Sequence, residues 1–231
     1  MKNTIKVIGF DADDTLWVNE PFFRDTEQEF CKLFDGKLSQ RDVMDKLFTI
    51  EISNLTKYGY GSKSFMLSMI ETALQIFGDE INHSHIQKIM DIGNSLLSYP
   101  RELIEGVKDT LDYLSAKFKL ILVTKGDLLE QENKLEQSGL VKYFHHIEIL
   151  SEKNTYNYNV LLKHLDIKPE EFLMVGNSLK SDIEPVLKLG GYGAYVPFHI
   201  TWQHEQMDVT DVINDKFMEI DKISELKEVF V

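Results

Sequence analysis

The second half of the chain alternates between two kinds of segment. From Val107, Leu111 and Leu114 at helical spacing it passes to the apolar run LILV (120–123), then to a helical stretch over 127–138 closed by Gly139. IEIL (147–150), a helix over 156–165, FLMV (172–175), a helix over 182–189 closed by Gly190 and YGAYV (192–196) continue the series. Strand and helix in turn mean a parallel sheet covered on both faces, because a parallel neighbour is reached only through a crossover. Right-handed crossovers bring every strand's carboxyl end to one edge, where open parallel sheets bind ligands. IKVIGF (5–10) reads as a further buried strand, and FMEI with Ile223, Leu226 and Phe230 as a last short strand and a closing helix.

The stretch between the first strand and this series has a different period. Pro21 suits a first helical turn, and Phe23, Phe30 and Phe34 recur at helical spacing. Three more stripes follow: Val43, Leu47 and Ile50; Phe65, Met69, Ala73 and Phe77; Ile86, Ile89, Leu96 and Leu97. The expectation is an all-helical insert over 19–98, with 1–18 and 99–231 forming the sheet-bearing core.

Acidity limits the partners. With 25 basic and 38 acidic residues the formal charge is −13, which argues against nucleic acid and acidic membrane surfaces. No apolar run approaches the roughly 20 residues of a spanning helix, and MKNTIKVIGFD turns acidic too soon for a signal peptide. The single Cys31 can form no internal disulfide, so the expected compartment is reducing and cytoplasmic. A monomer or homodimer is expected.

Polar residues fall at the strand ends. VIGF is followed by Asp11, with Asp13 and Asp14 close behind; LILV by Thr124 and Lys125; IEIL by Ser151, Glu152 and Lys153; FLMV by Gly176, Asn177 and Ser178, with Asp182 a turn later. Acids so crowded repel by about 1 kcal/mol per pair at 4 Å in water, and by ~4 kcal/mol at a lower effective dielectric, so something must compensate them. Carboxylates hold magnesium through oxygen, while a lysine and hydroxyls hold phosphate. The competing reading is a solvated turn.

Asp11, Asp13 and Thr15 in the pattern D-x-D-x-T, then Thr124, then Lys153, then GNSLKSD at 176–182, resemble the haloacid dehalogenase superfamily. More narrowly, they resemble its phosphatase branch with a helical cap inserted after the first motif. The resemblance implies an α/β fold, a Rossmann-like parallel sheet core with helices on both faces, plus an inserted all-helical cap domain. It implies that Asp11 attacks phosphorus, that Asp13 serves as acid and then base, and that Thr124 and Lys153 grip the phosphoryl group; Lys125, beside Thr124, is a candidate to substitute or assist, with a surface lysine as its default reading. It implies Mg2+ held by Asp11, the Asp13 main-chain carbonyl and Asp182. The expected reaction is hydrolysis of a small phosphorylated metabolite through an aspartyl phosphate, since superfamily dehalogenases lack an acid two residues after the nucleophile. The chain departs from the pattern at Asn177, which stands where a second acid is usual and removes one negative charge, and at Asp14, where glycine is common.

Other readings share these residues. A phosphotransferase or mutase would pass the phosphoryl group to a sugar, and a phosphate-sensing or partner-binding module would have a site disabled by Asn177. A receiver domain also pairs acids, threonine and lysine, but is shorter and has no such insert. His83 and His85, two apart on a helix, face nearly opposite ways and read as surface residues. GYGSKS (59–64) fails the phosphate-loop pattern and reads as a hinge between helices. Tyr58, Tyr60, Lys63 and Arg24 are candidates to touch the leaving group, while packing is the expected role of His199, Trp202 and His204.

Overall fold

The computed structural model describes residues 4–230. Among them six strands form one sheet in the order β3-β2-β1-β4-β5-β6, every pair parallel: β1 (Val7–Phe10), β2 (Lys119–Lys125), β3 (His146–Leu150), β4 (Phe172–Gly176), β5 (Tyr192–Tyr195) and β6 (Phe217–Glu219). The α/β class expected from the alternation is the one the chain adopts. β1 is buried at all four positions and lies between β2 and β4, as expected of a strand apolar on both faces. One face carries Ile8, Phe10, Leu120, Leu122, Leu173 and Val175, and the other Val7, Ile121, Val123, Phe172 and Met174.

Register fixes what meets at the edge. Phe10 pairs with Leu122 on one side and Val175 on the other, and the Asp11 N–H donates to the Val175 carbonyl at 2.9 Å. The residue after β1 therefore emerges between the ends of β2 and β4. The crossover helices are α5 (Val107–Ser115), α6 (Leu128–Ser138), α7 (Thr155–His164) and α8 (Glu184–Leu189), with α9 (Leu226–Val229) closing the chain. One helix differs from expectation: the segment read as helical from 182 starts as a wide π turn over Leu179–Ile183, and regular α-helix begins only at Glu184. The Ser178 hydroxyl accepts from the Ser181 N–H at the start of that turn.

The chain divides into two compact units: 1–20, 101–125 and 131–231 in one, 21–100 and 126–130 in the other. The second is helical, with α1 (Glu20–Cys31, its first residue in the sheet unit), α2 (Gln40–Tyr58), α3 (Ser62–Phe77) and α4 (His83–Ser98). Phe30, Phe34, Val43, Leu47, Phe65, Met69, Ala73, Phe77, Ile89 and Leu96 form its core, whereas Leu97 is exposed. Gly59 and Gly61, both at positive φ, turn the chain between α2 and α3, as a hinge requires. Glu130 belongs to this unit: its Oε2 accepts from the Ser62 N–H at 2.9 Å and its Oε1 from the Ser62 hydroxyl at 2.8 Å, capping α3. His85 stacks on Phe77 and takes part in the capping box at Asn82, which gives His85 a structural task, while His83 is exposed. No helix among the described residues is long and apolar enough to cross a membrane.

Asp14 shows why an acid can replace glycine in the loop after β1. Its φ is 61°, a left-handed value that aspartate tolerates better than most residues. Its Oδ1 accepts from the N–H groups of Asn19 (2.8 Å) and Glu20 (3.1 Å), and its Oδ2 from Glu20 (3.0 Å), supplying the start of α1 with acceptors. Asp14→Ala is expected to cost about 2–3 kcal/mol, cap and backbone strain together, and Asp14→Gly about 1–2 kcal/mol because the strain disappears. Urea unfolding of both variants checks this; equal losses would show that φ contributes nothing.

Candidate active site

The strand edge holds a buried lysine between two acids. Lys153, just beyond β3, is 4% exposed; its Nζ donates to Asp11 Oδ1 and, at 2.6 Å, to Asp182 Oδ1. Asp11 comes from the end of β1 and is 7% exposed, and Asp182 from the π turn after β4 and is 1% exposed. Burial opposes the charge on Lys153, but the two carboxylates outweigh it and drive its pKa far up, so the ammonium persists at any ordinary pH. One lysine neutralises one acid. Burial, and beyond it the Asp11 carboxylate, pushes Asp182 up to about 7 against Lys153 and the Ser178 N–H, which donates to Asp182 Oδ2 at 3.0 Å.

The second oxygen of Asp11 faces a set of oxygens. Thr15 Oγ1 donates to Asp11 Oδ2 at 3.0 Å and accepts from the Asn177 main-chain N–H at 3.1 Å. The Asn177 side-chain amide lies 3.2 Å from Asp11 Oδ2, 3.2 Å from Thr15 Oγ1 and 3.3 Å from the Asp13 main-chain carbonyl. A carboxylate and a carbonyl only accept, so the amide presents its NH2 end to them. Three oxygens thus converge on one small polar group. Among the described residues no three His, Cys, Asp or Glu side chains gather as a metal cluster. The oxygen donors here are two carboxylates and a main-chain carbonyl, hard ligands that suit Mg2+, and the Asn177 amide adds its oxygen only once it turns over. With Lys153 charged and both carboxylates ionised, the state that a bound cation favours, they carry a net −1, so the residues fit a divalent cation.

Asp13 points into a different environment. Trp17 Nε1 donates to its Oδ1 at 2.7 Å, Gln131 Nε2 to its Oδ2 at 2.9 Å, and Lys134 Nζ to both oxygens at 3.1 and 3.0 Å. Lys134 also donates to Asn19 Oδ1 at 2.9 Å. Burial would raise the Asp13 carboxyl, but Lys134 and the hydrogen bonds from Gln131 and Trp17 prevail and hold it below the usual carboxylate range. Its neighbour Asp14 is pushed up to about 8, chiefly by burial.

The remaining candidates divide. Thr124 is buried near the end of β2, two residues beyond the partner of Phe10 in register. Lys125 is corrected on two counts. It is not a surface lysine, since its side chain is only 16% exposed, and its Nζ is engaged by Glu205 Oε1 at 2.5 Å and Ser181 Oγ at 2.9 Å rather than left for phosphate. Within the helical unit Arg24 pairs with Glu27 at 3.1 Å and Lys63 with Asp127 at 2.8 Å. Trp202 and His204 pack ring to ring, as do Phe198 and His199.

Sequence reasoning missed Trp17, Gln131, Lys134 and Glu205. A signal for two of them exists: Gln131 and Lys134 fall three apart, beside Leu135, and all three are buried on α6. It also missed Tyr158 on α7, fully buried, whose hydroxyl has no hydrogen-bond partner among the described residues.

Residues 5–190 match the family model described as haloacid dehalogenase-like hydrolase. The chain is 24% identical over 198 residues to N-acylneuraminate-9-phosphatase of Homo sapiens, covering 80% of this chain and 79% of that protein. It is 25% identical over 201 residues to glyceraldehyde 3-phosphate phosphatase of Methanocaldococcus jannaschii, covering 80% and 82%. The crystal structure of a haloacid dehalogenase-like family hydrolase from Xanthomonas campestris is similar with a TM-score of 0.87 and 38% identity, over 98% of this chain and 90% of that one.

Lys134→Ala strands Asp13 among its other donors. The expected loss is about 2 kcal/mol, below the 3–5 kcal/mol of a fully buried pair because the Asp13 side chain keeps 23% exposure. Urea denaturation measures it; a loss under about 0.5 kcal/mol would put the pair with surface ion pairs.

Proposed function

We infer the reaction from the premise that the chain belongs to the haloacid dehalogenase-like hydrolase family, and propose a magnesium-dependent phosphatase that hydrolyses a small phosphorylated metabolite through an aspartyl phosphate. The observation that carries this is Asp13. A halide leaves without a proton, whereas an ester oxygen needs one, and the chain places a carboxyl two residues beyond Asp11 on the same loop. The phosphatase relatives support the same class of substrate.

In this reading an Asp11 carboxylate oxygen attacks phosphorus, the bond from phosphorus to the ester oxygen breaks, and Asp13 gives that oxygen a proton. Water then attacks the phosphorus of the acyl phosphate, its proton passes to Asp13, and phosphate departs while Asp11 is restored. Lys153, fixed between Asp11 and Asp182, offsets charge on the phosphoryl oxygens, and the buried Thr124 hydroxyl lies at the same edge as a donor. The Asp11 carboxylate, the Asp13 main-chain carbonyl and Asp182 would hold Mg2+, joined by the Asn177 amide oxygen once that amide turns its NH2 end away, and the ion would supply electrostatic stabilisation of the phosphoryl group. Paired with Lys134, Asp13 is an ionised base. To serve as acid it must leave that pair and take up a proton from solvent, which it passes to the leaving oxygen and regains from the attacking water.

Purified protein is expected to hydrolyse a generic aryl phosphate with Mg2+, to lose that activity in EDTA, and to lose it in Asp11→Asn whatever the metal. Sugar phosphates, including N-acylneuraminate 9-phosphate, and triose phosphates form the substrate panel. Hydrolysis by Asp11→Asn at the natural rate sinks the nucleophile assignment. An inactive natural chain that Asn177→Asp switches on would favour the disabled module instead.

A further inference from the structure

The segment from Asn177 to Asp182 is gripped from a loop that the reaction does not use. After β5 the chain runs on to a short 3-10 turn, Gln203–Glu205, where the Glu205 N–H donates to the Trp202 carbonyl at 2.9 Å. Lys180 Nζ donates to the His204 carbonyl at 2.7 Å, tying this loop to the π turn. Glu205 Oε2 accepts from the hydroxyls of Ser178 at 2.5 Å and Ser181 at 2.6 Å, and Oε1 from Lys125 at 2.5 Å. Ser178 is the residue whose N–H holds Asp182 Oδ2, and Ser181 precedes Asp182.

The charges around this contact decide its consequence. Asp11 and Asp182 against Lys153 leave a net −1 for a divalent cation, and position 177 adds an amide and no charge. Lys125 brings a further positive charge to the same edge, and Glu205 cancels it inside a pair whose side chains are only 16% and 11% exposed. Glu152 lies 3.8 Å from Lys125, but at 44% exposure it is largely screened by water. Without the Glu205 carboxylate the edge would be electrically neutral and both serine hydroxyls would lose their acceptor.

We propose that Glu205 is a positioning residue of the cation site, holding Ser178 and Ser181 so that Asp182 keeps its place and neutralising Lys125 so that the site stays net negative. The inference rests on the magnesium reading above. Burial alone would raise the Glu205 carboxyl, yet Lys125 and the two serines hold it at about 2, so it is ionised throughout the working range.

The test is Mg2+ binding by calorimetry on the full chain, substrate absent, with Glu205→Gln, Lys125→Met and the double variant beside the natural protein. Outer partners of this kind change metal affinity by about 10–100-fold. Glu205→Gln is expected to weaken Mg2+ by that amount and to shift the half-saturating Mg2+ in aryl phosphate hydrolysis equally. The double variant, which removes the positive charge that Glu205 would have neutralised, is expected to recover part of the loss. Lys125→Met alone is expected to tighten Mg2+, and it serves as the test if Glu205→Gln does not fold by circular dichroism. Affinities within about twofold of the natural protein in the folded variants overturn the role of Glu205 while leaving the magnesium site standing. A natural chain that binds no Mg2+ overturns the site and this inference together.

Discussion

Lys153 lies where the acids of two strand ends would otherwise repel one another. Asp11 and Asp182 come from neighbouring strands, both are nearly fully buried, and each would be expensive to keep charged alone. The ammonium between them makes both tolerable, and it does so only because β1, β2 and β4 are held in a register that fixes Asp11 beside Val175 and Thr124 beside the edge. A buried ion group of this kind gives weak net stability, since desolvation consumes much of the attraction. Its value is a fixed constellation with one surplus negative charge.

The same arrangement recurs around it. Lys134 holds Asp13 on one side and Lys125 holds Glu205 on the other, so Asp13 and Glu205, like Asp11 and Asp182, each meet a lysine from a different element. The pairs have different tasks. Lys153 leaves Asp11 Oδ2 facing Thr15 and Asn177, whereas Lys134, Gln131 and Trp17 engage both oxygens of Asp13. In the proposed reaction the attacking group is thereby presented, and the proton carrier is held in reserve.

Much of this was legible in the linear chain. The alternation after residue 107 gave the parallel sheet, and the polar residues at the strand ends named Asp11, Thr124, Lys153 and Asp182. Helical periods in the insert named its core, because amphipathic stripes depend on local spacing alone. Lys125 was misjudged for the opposite reason: its partner Glu205 lies 80 residues away, and nothing local to either residue announces the pair.

The sequence by itself determined which residues reach the edge, since a parallel sheet with right-handed crossovers delivers whatever follows each strand to the same side. Only the tertiary structure decided how they pair. Lys134 meets Asp13 across 121 residues and Glu205 meets Ser178 across 27, and such contacts depend on side chains from separate elements arriving at hydrogen-bond distance. Strand order and register set that distance, through backbone hydrogen bonds that every residue type makes alike and that leave no signature in any one segment.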